Sequence, residues 1–495
     1  MKILGKIGLG VSLLIPMSLF VGCDSLLNVE PESQIGVDQF WKTEADAASG
    51  VAAIYDAAQD AYASKYFIWG ELRSDNFDAA PNAEKVEPIQ LTGNDLTDQN
   101  EKVGGWGEMY NMILKANLAI NNIPNITGDI NSKLGQAHAL RAFAYFDLVR
   151  AYGDVPLYVE VPKSLKDDIF REKTSGDQIM NEVVIPDMLK AEELIANPTD
   201  RFTFSKSSVY CLQAEVYMHI GEYGKAKEVL DKLEAMGEFT LVNNAEAFHA
   251  LFRNEPERAG LPSNQMETGP ELIFSIVYNL EQDLKQGDIY KIFWPGVPAY
   301  AVSKALEEKW EATFPTDSVA WEAKYPNFTP SSKNEEGRTI YGDNYRYVQL
   351  IEKDKEVGER RYGKYNIVNY PALDDDTDIV VYRYAGMLLL LAEAEAHLGN
   401  LSKAVDIVNR IRDNRDLPQI VLSDYPSQEA MINVILDERQ FELLGEGKRW
   451  NDLRRNNKVV EVMNPINGQQ NDKLLFPIWF QHLVDNPNIT QTPGY

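Results

Sequence analysis

Apolar residues along this chain recur mostly at helical spacing. From Gln39 to Gln59 an alanine-rich stretch predicts a helix, and Ala116 to Asn122 predicts another. Between Leu134 and Tyr152, the residues Ala137, Leu140, Ala144, Leu148 and Ala151 mark one face, while Ala142, Phe143 and Phe146 fill the opposite side. A helix apolar nearly all round belongs inside a helical assembly. Gly153-Asp154-Val155-Pro156 then ends it with a turn and a helix breaker.

From Ser207 to Ala235 the pattern is helix–turn–helix with tetratricopeptide character. Ala214, Tyr217, Gly221, Tyr223, Ala226 and Leu230 stand where that repeat places small and aromatic residues. Leu388 to Arg410 repeats it with Ala392, Gly399, Leu401, Ala404 and Val408, too far downstream for one uninterrupted array. Between them, from about 240 to 380, the composition turns to Pro, Gly, Trp, Tyr and Asn with weak helical period. The pattern predicts a mainly α protein: tetratricopeptide-like helix pairs forming a scaffold, with a loop-rich insertion standing on it. Such pairs imply an interaction surface and no reaction, and function tends to sit on the loops they position.

The N-terminus reads as an address. Lys2 and Lys6 precede an apolar run from Ile7 to Val21 that is shorter than the roughly 20 residues needed to span a bilayer. The run closes on Leu19-Phe20-Val21-Gly22-Cys23, which resembles a bacterial lipobox, with Phe20 where leucine is usual. The predicted organisation is a signal peptide over 1–22, a lipidated tether over 23–36 beginning at Cys23, and one helical domain over 37–495. No other stretch reaches transmembrane length, so the chain is expected to be anchored and not spanning.

Composition narrows the partners. Asp and Glu number 75 against 48 Lys and Arg, a net charge of −27. That balance disfavours nucleic acid, which needs clustered cations against phosphate, and disfavours a polybasic membrane surface. With 44% hydrophobic residues the chain has ample material for a large core, and its 2 cysteines support neither a disulfide framework nor a cysteine zinc site.

Catalytic spacings are missing: the sequence has no G-x-S-x-G elbow and no H-E-x-x-H, and Gly445-Glu446-Gly447-Lys448 is not a P-loop. His138, His219, His249, His397 and His482 are scattered, with no ligand pair at helical spacing, so no metal or cofactor is expected. Glu438, Glu442 and Glu446 share an i, i+4 stripe; Arg439, Lys448, Arg449, Arg454 and Arg455 nearby predict an ion-pair network around them. Asp374-Asp375-Asp376-Thr377-Asp378 invites a calcium reading, but Ile379 and Ala385 stand where an EF-hand loop needs Gly and Glu, so a solvated loop is expected. Aromatics are more suggestive. Tyr66, Phe67 and Trp69 precede Arg73 and Asp75, while the insertion carries Phe293, Trp294, Tyr300, Trp310, Trp321, Tyr341, Tyr345 and Tyr347. Flat rings flanked by Arg, Asp and Asn suit sugars, the ring packing on a pyranose C–H face and the polar groups taking hydroxyls.

Several strings, in order, resemble the SusD/RagB family of outer-membrane nutrient-binding lipoproteins. They are Asp38-Gln39-Phe40-Trp41-Lys42-Thr43-Glu44, Gly50-Val51-Ala52-Ala53-Ile54-Tyr55 and Glu71-Leu72-Arg73-Ser74-Asp75. ALRAFAYFDLVRAYGDVPL from Ala139 to Leu157 follows, then Tyr382-Arg383-Tyr384-Ala385, Leu391-Ala392-Glu393-Ala394-Glu395 and Glu438-Arg439. Gly447-Lys448-Arg449-Trp450-Asn451-Asp452-Leu453-Arg454 and the finish from Asn486-Pro487-Asn488 to Pro493-Gly494-Tyr495 complete the set. The resemblance implies four tetratricopeptide-like helix pairs and no enzyme activity. It also implies a cell-surface lipoprotein that captures oligosaccharide, or peptide in some branches, and delivers it to a partner TonB-dependent (SusC-like) outer-membrane transporter. Family ligand residues come from variable loops, which makes Trp69, Arg73 and Asp75 on the first loop, and Trp294, Tyr300 and Trp310 on the insertion, the candidate ligand contacts. Near Thr92-Gly93-Asn94, where starch-binding members present an aromatic, this chain has no ring, which argues against a starch-like ligand. Two rivals stand beside this reading: a surface glycoside hydrolase using Glu307, Glu308 or Glu311, and an assembly adaptor that binds only protein.

Overall fold

The computed structural model describes residues 40–80, 86–162, 170–196, 200–252, 269–278, 287–293, 299–348, 351–353, 360–365 and 377–495. Among the described residues four helix pairs make the scaffold: α1 (Glu44–Tyr62) on α2 (Gly107–Asn122), α3 (Asn131–Tyr152) on α4 (Ile185–Leu194), α5 (Lys206–His219) on α6 (Tyr223–Ala235), and α7 (Tyr384–His397) on α8 (Leu401–Asp413). A further helix, α9 (Gln428–Glu442), packs on α7.

Local sequence explains the boundaries. Helix α1 starts at Glu44, later than its alanine pattern suggests, because Thr43 caps it: the Asp46 N–H donates to Thr43 Oγ1 at 3.2 Å and the Thr43 N–H donates to Asp46 Oδ2 at 2.7 Å. Helix α2 begins earlier than Ala116, at Gly107, since Met109, Met112 and Ile113 extend its buried stripe through a polar first turn. Helix α3 is buried on nearly every side, as its apolar girdle requires, and Gly153 caps it. The turns of the α5–α6 and α7–α8 pairs contain Gly221 (φ 75°) and Gly399 (φ 83°), left-handed conformations that glycine adopts without strain.

The described parts of the insertion carry regular elements that its composition did not suggest. Strand β1 (Phe77–Ala79) pairs antiparallel with β3 (Tyr300–Val302), and β2 (Leu272–Ile276) with β4 (Ile379–Arg383). Each ladder therefore ties a segment of the insertion to the chain on either side of it. Ser303 accepts from the Leu306 N–H at 3.0 Å and starts the helix Lys304–Thr313, which buries Leu306 and Trp310 one turn apart.

Beneath these pairs lies a buried ionic network. Arg346 reaches Asp343 (2.7 Å), Glu438 (2.7 Å) and Glu442 (3.1 Å), and Arg412 also reaches Glu438 (2.7 Å). Arg383 contacts Glu271 (3.0 Å), Glu442 (2.8 Å) and Glu446 (2.8 Å), while Arg415 contacts Glu271 and Glu442, both at 2.8 Å. Lys364 joins it on Glu446, giving five cations and five carboxylates among the described residues. The predicted network around Glu438, Glu442 and Glu446 is thus present, but its cations are not the neighbours the sequence offered. Those serve elsewhere: Arg439 holds Asp452 (2.8 Å), Lys448 holds Glu215 (2.6 Å), Arg449 holds Asp75 (2.8 Å), Arg455 holds Asp452 and Glu393, and Arg454 donates to the Arg150 carbonyl. Glu446 also lies beyond the helix, which ends at Glu442, so the three carboxylates share a network and not a helix face.

Burial alone would raise the Glu442 carboxyl, yet Arg415, Arg383 and Arg346 hold it well below the usual carboxylate range. Glu438 and Glu446 are lowered likewise by their arginines against the same burial penalty. Carboxyls lowered in the fold contribute stability above their unfolded pKa, and that stability is lost as pH falls through the folded value. Melting temperature should therefore drop steeply below about pH 4.5. Glu442→Gln, measured by urea unfolding at pH 7, should lose about 3–5 kcal/mol because three arginines lose a shared partner.

Candidate functional site

Five of the six proposed ligand contacts are structural. Trp69 is buried, its indole N–H donating to the Val103 carbonyl at 3.4 Å and its ring edge-on to Tyr152. Arg73 is fully buried between the Trp450 and Phe476 rings and donates to the Leu475 (2.7 Å) and Lys473 (2.6 Å) carbonyls, Asn94 Oδ1 (3.1 Å) and the Tyr495 hydroxyl (3.0 Å). Asp75 binds Arg449 through both oxygens, at 2.8 and 2.9 Å. Tyr300 donates its hydroxyl to Glu87 at 2.9 Å, and Trp310 donates to Asp343 at 3.1 Å while stacked on Tyr347. A ring whose faces are packed and whose polar atom is bonded has nothing left for a sugar, so these residues build the core. Trp294 lies outside the described residues, as do Cys23 and Asp374-Asp375-Asp376. Asp378 does not face solvent: it pairs with Arg201 at 3.2 Å and accepts from the Tyr278 N–H at 2.9 Å.

An aromatic groove lies elsewhere, where the start of α2, the segment after α3 and the C-terminal stretch meet. It has a volume of about 360 Å³, within the range of small-molecule sites, and Trp106, Tyr110, Pro156, Tyr158, Phe170 and His482 dominate its lining. The C-terminal stretch is laced to the segment before α2. The Trp479 N–H donates to the Gly104 carbonyl (3.1 Å) and the Phe480 N–H to the Asp98 carbonyl (2.9 Å). The approach needs glycine, because a Cβ on Gly104 would fall 2.7 Å from the Pro477 carbonyl oxygen. The short helix α10 (Phe480–Asp485) then brings His482 and Asp485 to the groove.

The lining is held rigidly. The Tyr110 hydroxyl donates to the Pro156 carbonyl at 2.7 Å, and the Asn117 amide donates to the Tyr158 carbonyl at 2.8 Å while accepting from Arg141 at 2.8 Å. The Tyr145 hydroxyl spans the Tyr158 backbone, accepting its N–H at 2.7 Å and donating to its carbonyl at 2.8 Å. Trp106, Tyr110 and Tyr158 succeed one another edge to face at 5.7 and 5.5 Å. Phe170 is 45% exposed and gives the groove a ring with accessible surface. His482 and Gly107 also line a neighbouring polar cavity of about 410 Å³, with Lys65, Glu101, Lys102, Glu108 and Trp479 among its other residues.

Sequence reasoning missed this groove. A signal existed: Trp106, Tyr110, Ile113, Leu114 and Asn117 recur at helical spacing as one stripe. What it lacks in sequence is its other wall, supplied from Phe170 and from 482–489.

The remaining candidates do not converge. Among the described residues no group of three or more His, Cys, Asp and Glu could hold a metal. His138 pairs with Asp187 at 2.6 Å, His397 with Asn456 at 3.0 Å, and burial pushes the His219 imidazolium down to about 3. Glu307, Glu308 and Glu311 line a separate open depression, where Glu311 accepts from the Thr316 N–H (2.7 Å) and exposed Glu308 meets Lys304 (3.5 Å). No described helix is long and apolar enough to cross a membrane.

Tetratricopeptide-like pairs carrying an aromatic groove define a binding scaffold. The chain belongs to the SusD family. A family model described as "SusD family" matches residues 306–495, and one described as "Starch-binding associating with outer membrane" matches residues 26–218. The SusD-like protein P38 of Formosa agariphila is 41% identical, with 100% of each chain covered. Among solved structures, B. fragilis NanU superposes with a TM-score of 0.71 at 23% identity, covering 94% of this chain and 100% of its own. A structure titled "Laminarin binding SusD-like protein" gives 0.69 at 20% identity, covering 92% and 100%.

The core assignment separates two substitutions. Trp310→Ala should lose about 3–5 kcal/mol in chemical denaturation, as burial of a large ring requires. Phe170→Ala should change stability by less than about 0.5 kcal/mol, which makes it a clean probe of the groove.

Proposed function

We propose that this chain is a cell-surface lipoprotein, anchored through Cys23, that binds extracellular oligosaccharide in the Trp106–His482 groove and passes it to a TonB-dependent outer-membrane transporter without catalysis. The observation that carries the reading is the groove itself: a rigid aromatic floor with Glu160, His482 and Asp485 at its edges, on a SusD-family scaffold. Rings of this kind pack against the C–H faces of pyranoses, and polar groups at the edges take hydroxyls. The solved relative titled as laminarin-binding supports a glycan as the class of ligand. The lipid on Cys23 supplies the membrane attachment.

The reading is tested with the chain from residue 24 onward, by thermal shift against laminarin, xylan, galactomannan, alginate, chitosan and a peptide library. A glycan at ~100 times its dissociation constant should add about 2.7 kcal/mol. Phe170→Ala and Tyr158→Ala should weaken that binding at least several-fold. A peptide hit in place of a glycan would change the ligand class. Depolymerisation of a glycan that stops on Glu307→Gln or Glu311→Gln would favour the hydrolase. Copurification with a transporter, without affinity for any glycan or peptide, would favour the adaptor.

A further inference from the structure

His482 lines both the aromatic groove and the neighbouring polar cavity. Its Nε2 accepts the backbone N–H of Trp106 at 3.0 Å. Its ring is stacked on the Trp106 indole, centroids 5.2 Å apart at 14°, and stands perpendicular to Trp479 at 5.2 Å. A ring nitrogen that accepts a hydrogen bond carries no proton, so in the neutral imidazole the proton is on Nδ1. Nδ1 has no hydrogen-bond partner among the described residues.

We infer that His482 is a fixed hydrogen-bond donor of the groove, offering Nδ1–H to an acceptor oxygen of the bound glycan at the groove's edge. This rests on the oligosaccharide reading above and adds its chemistry: the ligand presents a hydroxyl, ring or carboxylate oxygen at this point, and a group that can only donate finds no partner there. The stacking keeps the ring from turning, and the Trp106 N–H keeps the tautomer from switching. Protonation would place a proton on Nε2 and oppose the Trp106 N–H directly. Burial pushes the imidazolium down; Asp485 from its own helix opposes this, Lys65 adds to it, and Glu108 from the first turn of α2 opposes it. The groove donor therefore stays in one state across neutral pH.

Nitrogen-15 spectra of the histidine-labelled mature chain test the tautomer without any ligand. Nε2 is expected at the shift of an unprotonated imidazole nitrogen and Nδ1 at that of a protonated one. The reverse assignment, or a mixture, would overturn the inference. His482→Gln keeps an oxygen near the Nε2 position for the Trp106 N–H but takes its amide N–H donors away from the Nδ1 position. It should melt like the parent and bind the most strongly stabilising glycan of the panel about three- to tenfold more weakly. His482→Asn, whose amide nitrogen falls near Nδ1, should recover part of that affinity. Unchanged affinity in His482→Gln would overturn the donor role. Affinity of the parent should stay level from pH 8 to about 6.5, and a loss centred above that would contradict the neutral ring. Silence across the whole panel would sink the oligosaccharide reading and the ligand contact with it, while the spectrum still decides the tautomer.

Discussion

The structure depends on one constraint: among the described residues, five buried carboxylates must be matched by five buried cations drawn from distant parts of the chain. Glu271 immediately precedes β2, Arg383 closes β4, Arg412 stands in the last turn of α8 and Arg415 just past its end, Glu438 and Glu442 belong to α9 with Glu446 following it, and Asp343, Arg346 and Lys364 come from the insertion. Isolated, each would carry a desolvation penalty of several kcal/mol; together they are satisfied only in one arrangement. The network therefore sets where the insertion sits on the helix pairs. It gives the insertion a rigid base without a sheet larger than two strands among the described residues.

A second layer of the same logic positions the groove. Arg73, fully buried, gathers the Lys473 and Leu475 carbonyls and the Tyr495 hydroxyl, so the C-terminal stretch is pinned from inside. From there the chain runs through Phe476, whose N–H donates to the Ala151 carbonyl at 2.8 Å, to Trp479 and His482 beside Trp106. The residue that sequence reasoning offered as a ligand contact holds the wall of the groove from behind. Asp75 does comparable work through Arg449, where burial raises its carboxyl and the guanidinium more than offsets it.

Much of the scaffold was legible in the sequence because helical period, capping residues and turn glycines are local signals. The α3 girdle, the α5–α6 pair and the α7–α8 pair follow from residues that are neighbours in the chain. The groove was not legible, because parts of its lining lie hundreds of residues apart in the chain and long-range hydrogen bonds, such as those of 98–106 with 479–482 and of 170–171 with 486–488, bring them together. Composition misled for a related reason. Trp69, Tyr300 and Trp310 have the flanking Arg, Asp and Asn of a sugar site, but those polar groups satisfy the backbone, one another and the rings' own N–H and O–H donors. The cations around Glu442 were misassigned likewise: proximity in sequence suggested Arg439 and Arg449, whereas folding delivers Arg346, Arg383 and Arg415.

The central claim is that glycan is held between the start of α2 and the C-terminal helix, on a core that does not itself touch ligand. Hydrogen exchange of the mature chain, with and without a bound polysaccharide, tests it most directly. Protection is predicted in peptides covering 104–117, 156–160 and 478–486, with those covering 66–76 and 300–312 unchanged. Protection confined to 66–76 and 300–312 would contradict it and return the binding site to the residues placed here in the core.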